Sequence, residues 1–75
     1  MAQLTHEEYE RLERAVLRGQ RIAVYRRGTE FVVTPLSLEQ RGGREVIEAR
    51  NPTTGDSLSL FIDELESIEV VSGAR

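Results

Sequence analysis

A mainly β fold introduced by one N-terminal α-helix, with five short strands bent strongly into a small antiparallel barrel, is what this 75-residue sequence predicts. Three observations carry the prediction. Residues 4–19 hold a complete set of helix start and stop signals. From residue 21 to residue 71 the apolar residues recur with the period of two that marks a strand. Glycine, proline and asparagine then cut that stretch into segments of strand length.

The helix comes first and is the best specified element. Thr5 and Glu8 form a capping box, in which hydroxyl and carboxylate satisfy amides that a helix start otherwise leaves orphaned. Leu4 and Tyr9 have the spacing of a hydrophobic staple. Glu7, Glu8 and Glu10 lie toward the positive end of the helix dipole, Arg14 and Arg18 toward the negative end, and Gly19 supplies a left-handed stop. Tyr9, Leu12, Ala15, Val16 and Gly19 recur at steps of three and four, a narrow stripe suited to lying on a sheet.

The strands follow in order. Residues 21–26 alternate, with Ile22 and Val24 on one side and Ala23 and Tyr25 on the other, before Arg27-Gly28-Thr29 turns the chain. Residues 30–40 read as a longer second strand whose inward set changes phase, from Phe31 and Val33 to Leu36 and Leu38. Pro35 lies between them, and because proline cannot donate to a ladder it marks an edge or a bulge. Arg41-Gly42-Gly43-Arg44 is a hairpin turn, since two glycines supply the positive φ a tight connection needs. The third strand, 45–50, places Ile47 and Ala49 inside. Residues 51–56 carry turn chemistry, and 57–62 turn Leu58, Leu60 and Ile62 inward. Residues 63–65 read as a single helical turn, 67–71 as the closing strand with Ile68 and Val70 inward, and 72–75 as a frayed tail.

Size and composition bound the function. A chain this short buries only roughly 60% of the surface its unfolded form exposes, so residues 1–75 are read as a single domain. Cysteine is absent, so neither disulfide nor thiolate metal site staples the fold, and association becomes the remaining source of burial. The start of the chain lacks a basic region with an apolar run behind it, and no stretch approaches the roughly 20 apolar residues that span a bilayer, which predicts a cytoplasmic protein without membrane contact. The formal net charge of -3 opposes an obligatory nucleic-acid partner. It hides a gradient: residues 11–27 hold six arginines against one glutamate, and residues 51–75 hold five carboxylates against one arginine.

Candidate chemistry is sparse. His6 is the only histidine, and it sits in the first helical turn, where it has no convergent partners. Without a base, none of the serines reads as a nucleophile, and neither a phosphate-cradling glycine loop nor a metal-ligand spacing is present. Asp63, Glu64 and Glu66 read as a polar turn at a strand boundary. The sequence therefore predicts no catalytic residues, no metal, no cofactor and no enzyme.

Four segments carry a likeness to a known family: Val24-Tyr25-Arg26 in the first strand, Pro35-Leu36 in the second, Glu45-Val46-Ile47 with Ala49 two places on in the third, and Leu60-Phe61-Ile62-Asp63-Glu64-Leu65 at the close. In order and spacing, residues 21–70 resemble a pared-down WYL-type domain, an Sm-like member of the SH3-type barrels found behind DNA-binding helices in bacterial regulators. The resemblance implies a ligand site, here Tyr25, Arg26 and Arg44. Phe61 and Glu64, however, stand where that family places ligand-contacting arginines, and the Trp and Tyr of its name-giving triplet are missing.

Two functional expectations result. The leading one is a non-enzymatic Sm-like assembly or regulatory module, working as a homo-oligomer or with a partner protein. Association is then through a strand edge or through outward apolar residues, namely Phe61, Val46 and Val71. The alternative is binding of single-stranded nucleic acid or a nucleotide effector by Tyr25, Arg26, Arg27 and Arg44, because barrels of this class hold strands by stacking bases on aromatic rings beside arginine.

Overall fold

The computed structural model describes residues 4–71. The helix, α1, spans His6–Arg18, and both halves of the capping box are made. The Glu8 amide donates to Thr5 Oγ1 at 3.1 Å, and the Thr5 amide donates to the Glu8 carboxylate at 2.9 Å. At the other end Gly19 adopts φ +67°, its amide donates to the Val16 carbonyl at 3.3 Å and the Gln20 amide donates to the Ala15 carbonyl at 2.9 Å, which closes the helix. The tail expected at 72–75 lies outside the described residues.

Five strands follow: β1 (Ile22–Arg26), β2 (Thr29–Arg41), β3 (Arg44–Arg50), β4 (Ser57–Phe61) and β5 (Ser67–Val70). They form one antiparallel sheet in the order β4-β3-β2-β1-β5. A 3-10 turn, Ile62–Glu64, joins the two outermost strands. Each two-residue hairpin turn has positive φ at both central positions, +54° and +75° at Arg27 and Gly28, +58° and +79° at Gly42 and Gly43, which matches the twist of the flanking strands. The wider loop after β3 is held by Asn51, whose side-chain oxygen accepts from the Thr53 and Thr54 amides at 2.8 and 3.2 Å.

β2 serves two ladders. Residues 29–33 pair with β1 and 34–41 with β3, and the register shifts between Pro35 and Ser37. The phase change expected on β2 therefore occurs one residue differently. Pro35 takes the inward place and is buried, whereas Leu36, expected inward, is the extra residue of the bulge and is 45% exposed. Alternation then resumes with Leu38 packed against the core.

The core lies between the concave face of the sheet and α1. Ile22, Val24, Val33, Ile47, Ala49 and Leu60 come from the strands, Leu12 and Ala15 from the helix, and Ile62 and Leu65 from the turn region. The inward positions expected on β1, β3, β4 and β5 all face this core or its margin. The sheet is not closed, however: β4 and β5 remain its two edges.

Leu12 is 1% exposed and Leu17 85% exposed on the same helix. Leu12→Ala is expected to cost about 2–5 kcal/mol through the cavity it leaves, and Leu17→Ala to stay within about 0.5 kcal/mol of the parent. Urea denaturation monitored by circular dichroism measures both.

Candidate functional site

Among the described residues, the convex face of the β2-β3-β4 half-sheet carries most of the polar contacts between side chains. Period two puts Ser37, Glu39 and Arg41 of β2, Arg44, Val46 and Glu48 of β3, and Ser59 and Phe61 of β4 on this one side. Arg41 pairs with Glu48, which also accepts from the Ser59 hydroxyl at 3.0 Å, so the three strands are tied in one row. The Ser37 hydroxyl donates to Glu39 at 3.0 Å, and Arg41 lies 3.6 Å from the other Glu39 oxygen.

Arg44 makes the strongest of these contacts. Its Nε and Nη2 donate to the two Asp63 oxygens at 2.8 and 2.7 Å, and Nη2 reaches Glu64 at 3.2 Å. The guanidinium also lies over the Phe61 ring, 4.1 Å from its centroid. A two-pronged arginine–carboxylate pair fixes direction as well as distance, so the β2-β3 hairpin is clamped to the 3-10 turn. The Arg44 hydrogen bonds hold the Asp63 carboxyl below the usual carboxylate range, and Asp63 and Glu64 in turn strengthen the charge on Arg44.

The three residues expected at an interface fare differently. Val46 is fully buried, flanked across the strands by Glu39 and Phe61, so it is a packing residue and offers no surface. Phe61 is half-buried beneath Arg44. Val71 remains exposed at the end of β5, where its amide donates to the Arg21 carbonyl at 2.9 Å.

The residues expected to bind a ligand are not brought together. Tyr25, Arg26 and Arg27 lie at the β1-β2 turn and Arg44 at the β2-β3 turn, which are opposite ends of the 13-residue β2. Adjacent Tyr25 and Arg26 also point to opposite faces. The Tyr25 hydroxyl donates to Glu30 at 3.2 Å, and Arg26 lies over Phe31, 5.4 Å from the ring centroid. Both phenols are held above their ordinary pKa, Tyr25 mainly by the hydrogen bond to Glu30 and Tyr9 mainly by burial with Glu45 and Glu13 adding to it.

His6 pairs along the helix surface with Glu10 at 3.2 Å. Glu66 accepts from the Gly28 amide at 3.4 Å, so it braces the β1-β2 turn while Asp63 and Glu64 hold Arg44. Among the described residues no three His, Cys, Asp or Glu side chains converge as metal ligands would, and no helix is long and apolar enough to cross a membrane.

Glu48 as the partner of Arg41, and Asp63 and Glu64 as the partners of Arg44, were not legible as pairs, because they lie 7 to 20 positions away and meet only through strand pairing and the 3-10 turn that follows β4. The feature that sequence reasoning named without locating is the strand edge. β4 carries Ser-Leu-Ser-Leu-Phe with no charge and no proline, and only one of its sides is paired. No protein-family model matches the chain, and no curated protein matches it either.

Two outcomes are expected. A carboxyl whose pKa is lowered by folding stabilises above its unfolded value of about 3.9 and loses that contribution as pH falls through the folded value. The melting temperature should therefore fall below about pH 4, and Asp63→Asn should flatten that part of the profile while slightly lowering stability at pH 7. Val46→Ser should cost about 1–3 kcal/mol, because it deletes one packed methyl and buries a hydroxyl in place of the other, and should leave the sedimentation behaviour of the folded protein unchanged.

Proposed function

We propose that the protein is a non-enzymatic, cytoplasmic assembly module, an Sm-like sheet of SH3 type that associates with further copies through its open strand edges. The observation that carries this reading is that the sheet ends in two strands paired on one side only, one of them without any charged residue. An edge strand presents a row of free backbone donors and acceptors, and proteins that stay monomeric blunt such edges with charge, proline or a covering element. β4 carries neither charge nor proline, and among the described residues β3 is the one element packed closely along it. Its two leucines face the core side, and Leu58, at the open margin, is only half-buried. Association would complete its burial, which matters in a chain with so small a core.

The edge takes precedence over the outward apolar side chains, because Val46 is buried and Phe61 is half covered by Arg44. The regulatory role implied by the WYL-type resemblance is compatible with this reading, with the sheet serving to join chains.

One observation keeps the nucleic-acid reading in play. Among the described residues Arg26 and Arg27 form no ion pair, unlike Arg41 and Arg44, and they sit beside Tyr25 at an exposed turn. Fluorescence anisotropy with a short single-stranded oligonucleotide at low salt decides this reading: binding lost on combined Arg26→Ala and Arg27→Ala supports it, and no binding removes it.

For the leading reading, sedimentation velocity between about 1 and 100 μM should show a sedimentation coefficient that rises with concentration. A constant single-chain value across that range overturns it.

A further inference from the structure

We infer that the edge used is β4, and that it pairs antiparallel with β4 of a second copy across a two-fold axis at Ser59. This inference rests on the assembly reading above and specifies its partner and register.

The register follows from the pleat together with the length of β4, since an axis through any residue satisfies the pleat and only one through the middle residue, Ser59, pairs all five. When two copies continue one sheet about an axis perpendicular to it, residues facing each other must point to the same side. Centring the axis on Ser59 sets Ser59 against its own copy, Leu58 against Leu60, and Ser57 against Phe61. The core side of the seam then holds two Leu58–Leu60 pairs, which cover the half-buried Leu58, and the convex side holds small hydroxyls and the Phe61 rings. No charge stands opposite another charge.

The competing edge is less suitable. Pairing β4 with β5 of another copy, with Leu58 facing Val70 and Leu60 facing Ile68, sets Glu69 opposite Ser59. The Ser59 hydroxyl already donates to Glu48, so that row would bring a second carboxylate toward the first. Self-pairing of β5 about Glu69 faces like charges directly. β5 also lies beside α1, where Glu8 and Arg11 line a groove with Ile68 and Glu69. The open side of β4 has neither obstacle, since α1 packs mainly against β2 and β5.

Because the chain has no cysteine, one introduced thiol reports the seam without background. Facing residues of an antiparallel pair have Cα atoms roughly 4.5–5.5 Å apart, inside the roughly 4.4–6.8 Å that a disulfide spans. Under mild oxidation Ser59→Cys should be trapped as a covalent dimer, and Ser67→Cys on β5 should not. Ser57→Lys, at an exposed position that leaves the core intact, should weaken association at least tenfold by sedimentation with an unchanged circular dichroism spectrum. If the parent chain associates while Ser59→Cys stays uncrosslinked and Ser57→Lys behaves as the parent, the β4 seam is wrong and assembly through another surface stands. If the parent remains a single chain up to about 100 μM, both the seam and the assembly reading fall.

Discussion

The organisation of this protein depends on the bulge in β2. A straight strand of 13 residues would run past the core it has to enclose. The extra residue at Leu36 breaks the ladder where Pro35 has no amide to give, and the strand bends there. Residues before the bend serve β1 and residues after it serve β3, so one segment joins two half-sheets around a single apolar centre. Leu12 and Ala15 of α1 then cover the concave side. The cost of the device is that Leu36 is turned out toward solvent, where it lines a shallow surface with Val16 and Leu17.

The two faces of the sheet are stabilised differently. The concave face is aliphatic and shared with the helix. On the convex face, Val46 and the Phe61 ring are screened by side chains that pair with one another, Arg41 with Glu48 and Arg44 with Asp63 and Glu64. Each such pair is partly exposed, and surface ion pairs add little alone. Here they hold a hairpin to a turn, and the guanidinium of Arg44 also stacks on an aromatic ring. The backbone donors and acceptors that the sheet itself leaves unpaired lie along its two edges. The proposed function rests on those edges.

Local signals were readable wherever one or two residues fix the backbone. Thr5, Glu8 and Gly19 bounded the helix correctly, Gly42-Gly43 marked a hairpin, and alternation placed Ile22, Ile47, Leu60 and Ile68 on the core side. Leu36 was misplaced because a bulge is a count of residues against a partner strand, and the partner is not visible from β2 alone. Val46 was assigned to the surface because period two says only which face a residue takes. Whether neighbours on that face bury it depends on Phe61, which arrives 15 positions later through strand pairing. The clamp on Arg44 has the same character. The expected grouping of Tyr25, Arg26 and Arg44 failed for a geometric reason: successive hairpins put their turns at opposite ends of the shared strand. The expectation of a closed barrel likewise depends on a β4-β5 ladder that the sheet does not form.

Amide hydrogen exchange resolved along the chain, measured as a function of protein concentration, tests the edge directly. The outward-facing amides of β4 should exchange rapidly in dilute solution and become protected as concentration rises, while those of β1 and β2 stay protected throughout. Exchange in β4 that is the same at every concentration, in a protein that otherwise retains its protected core, would contradict the account.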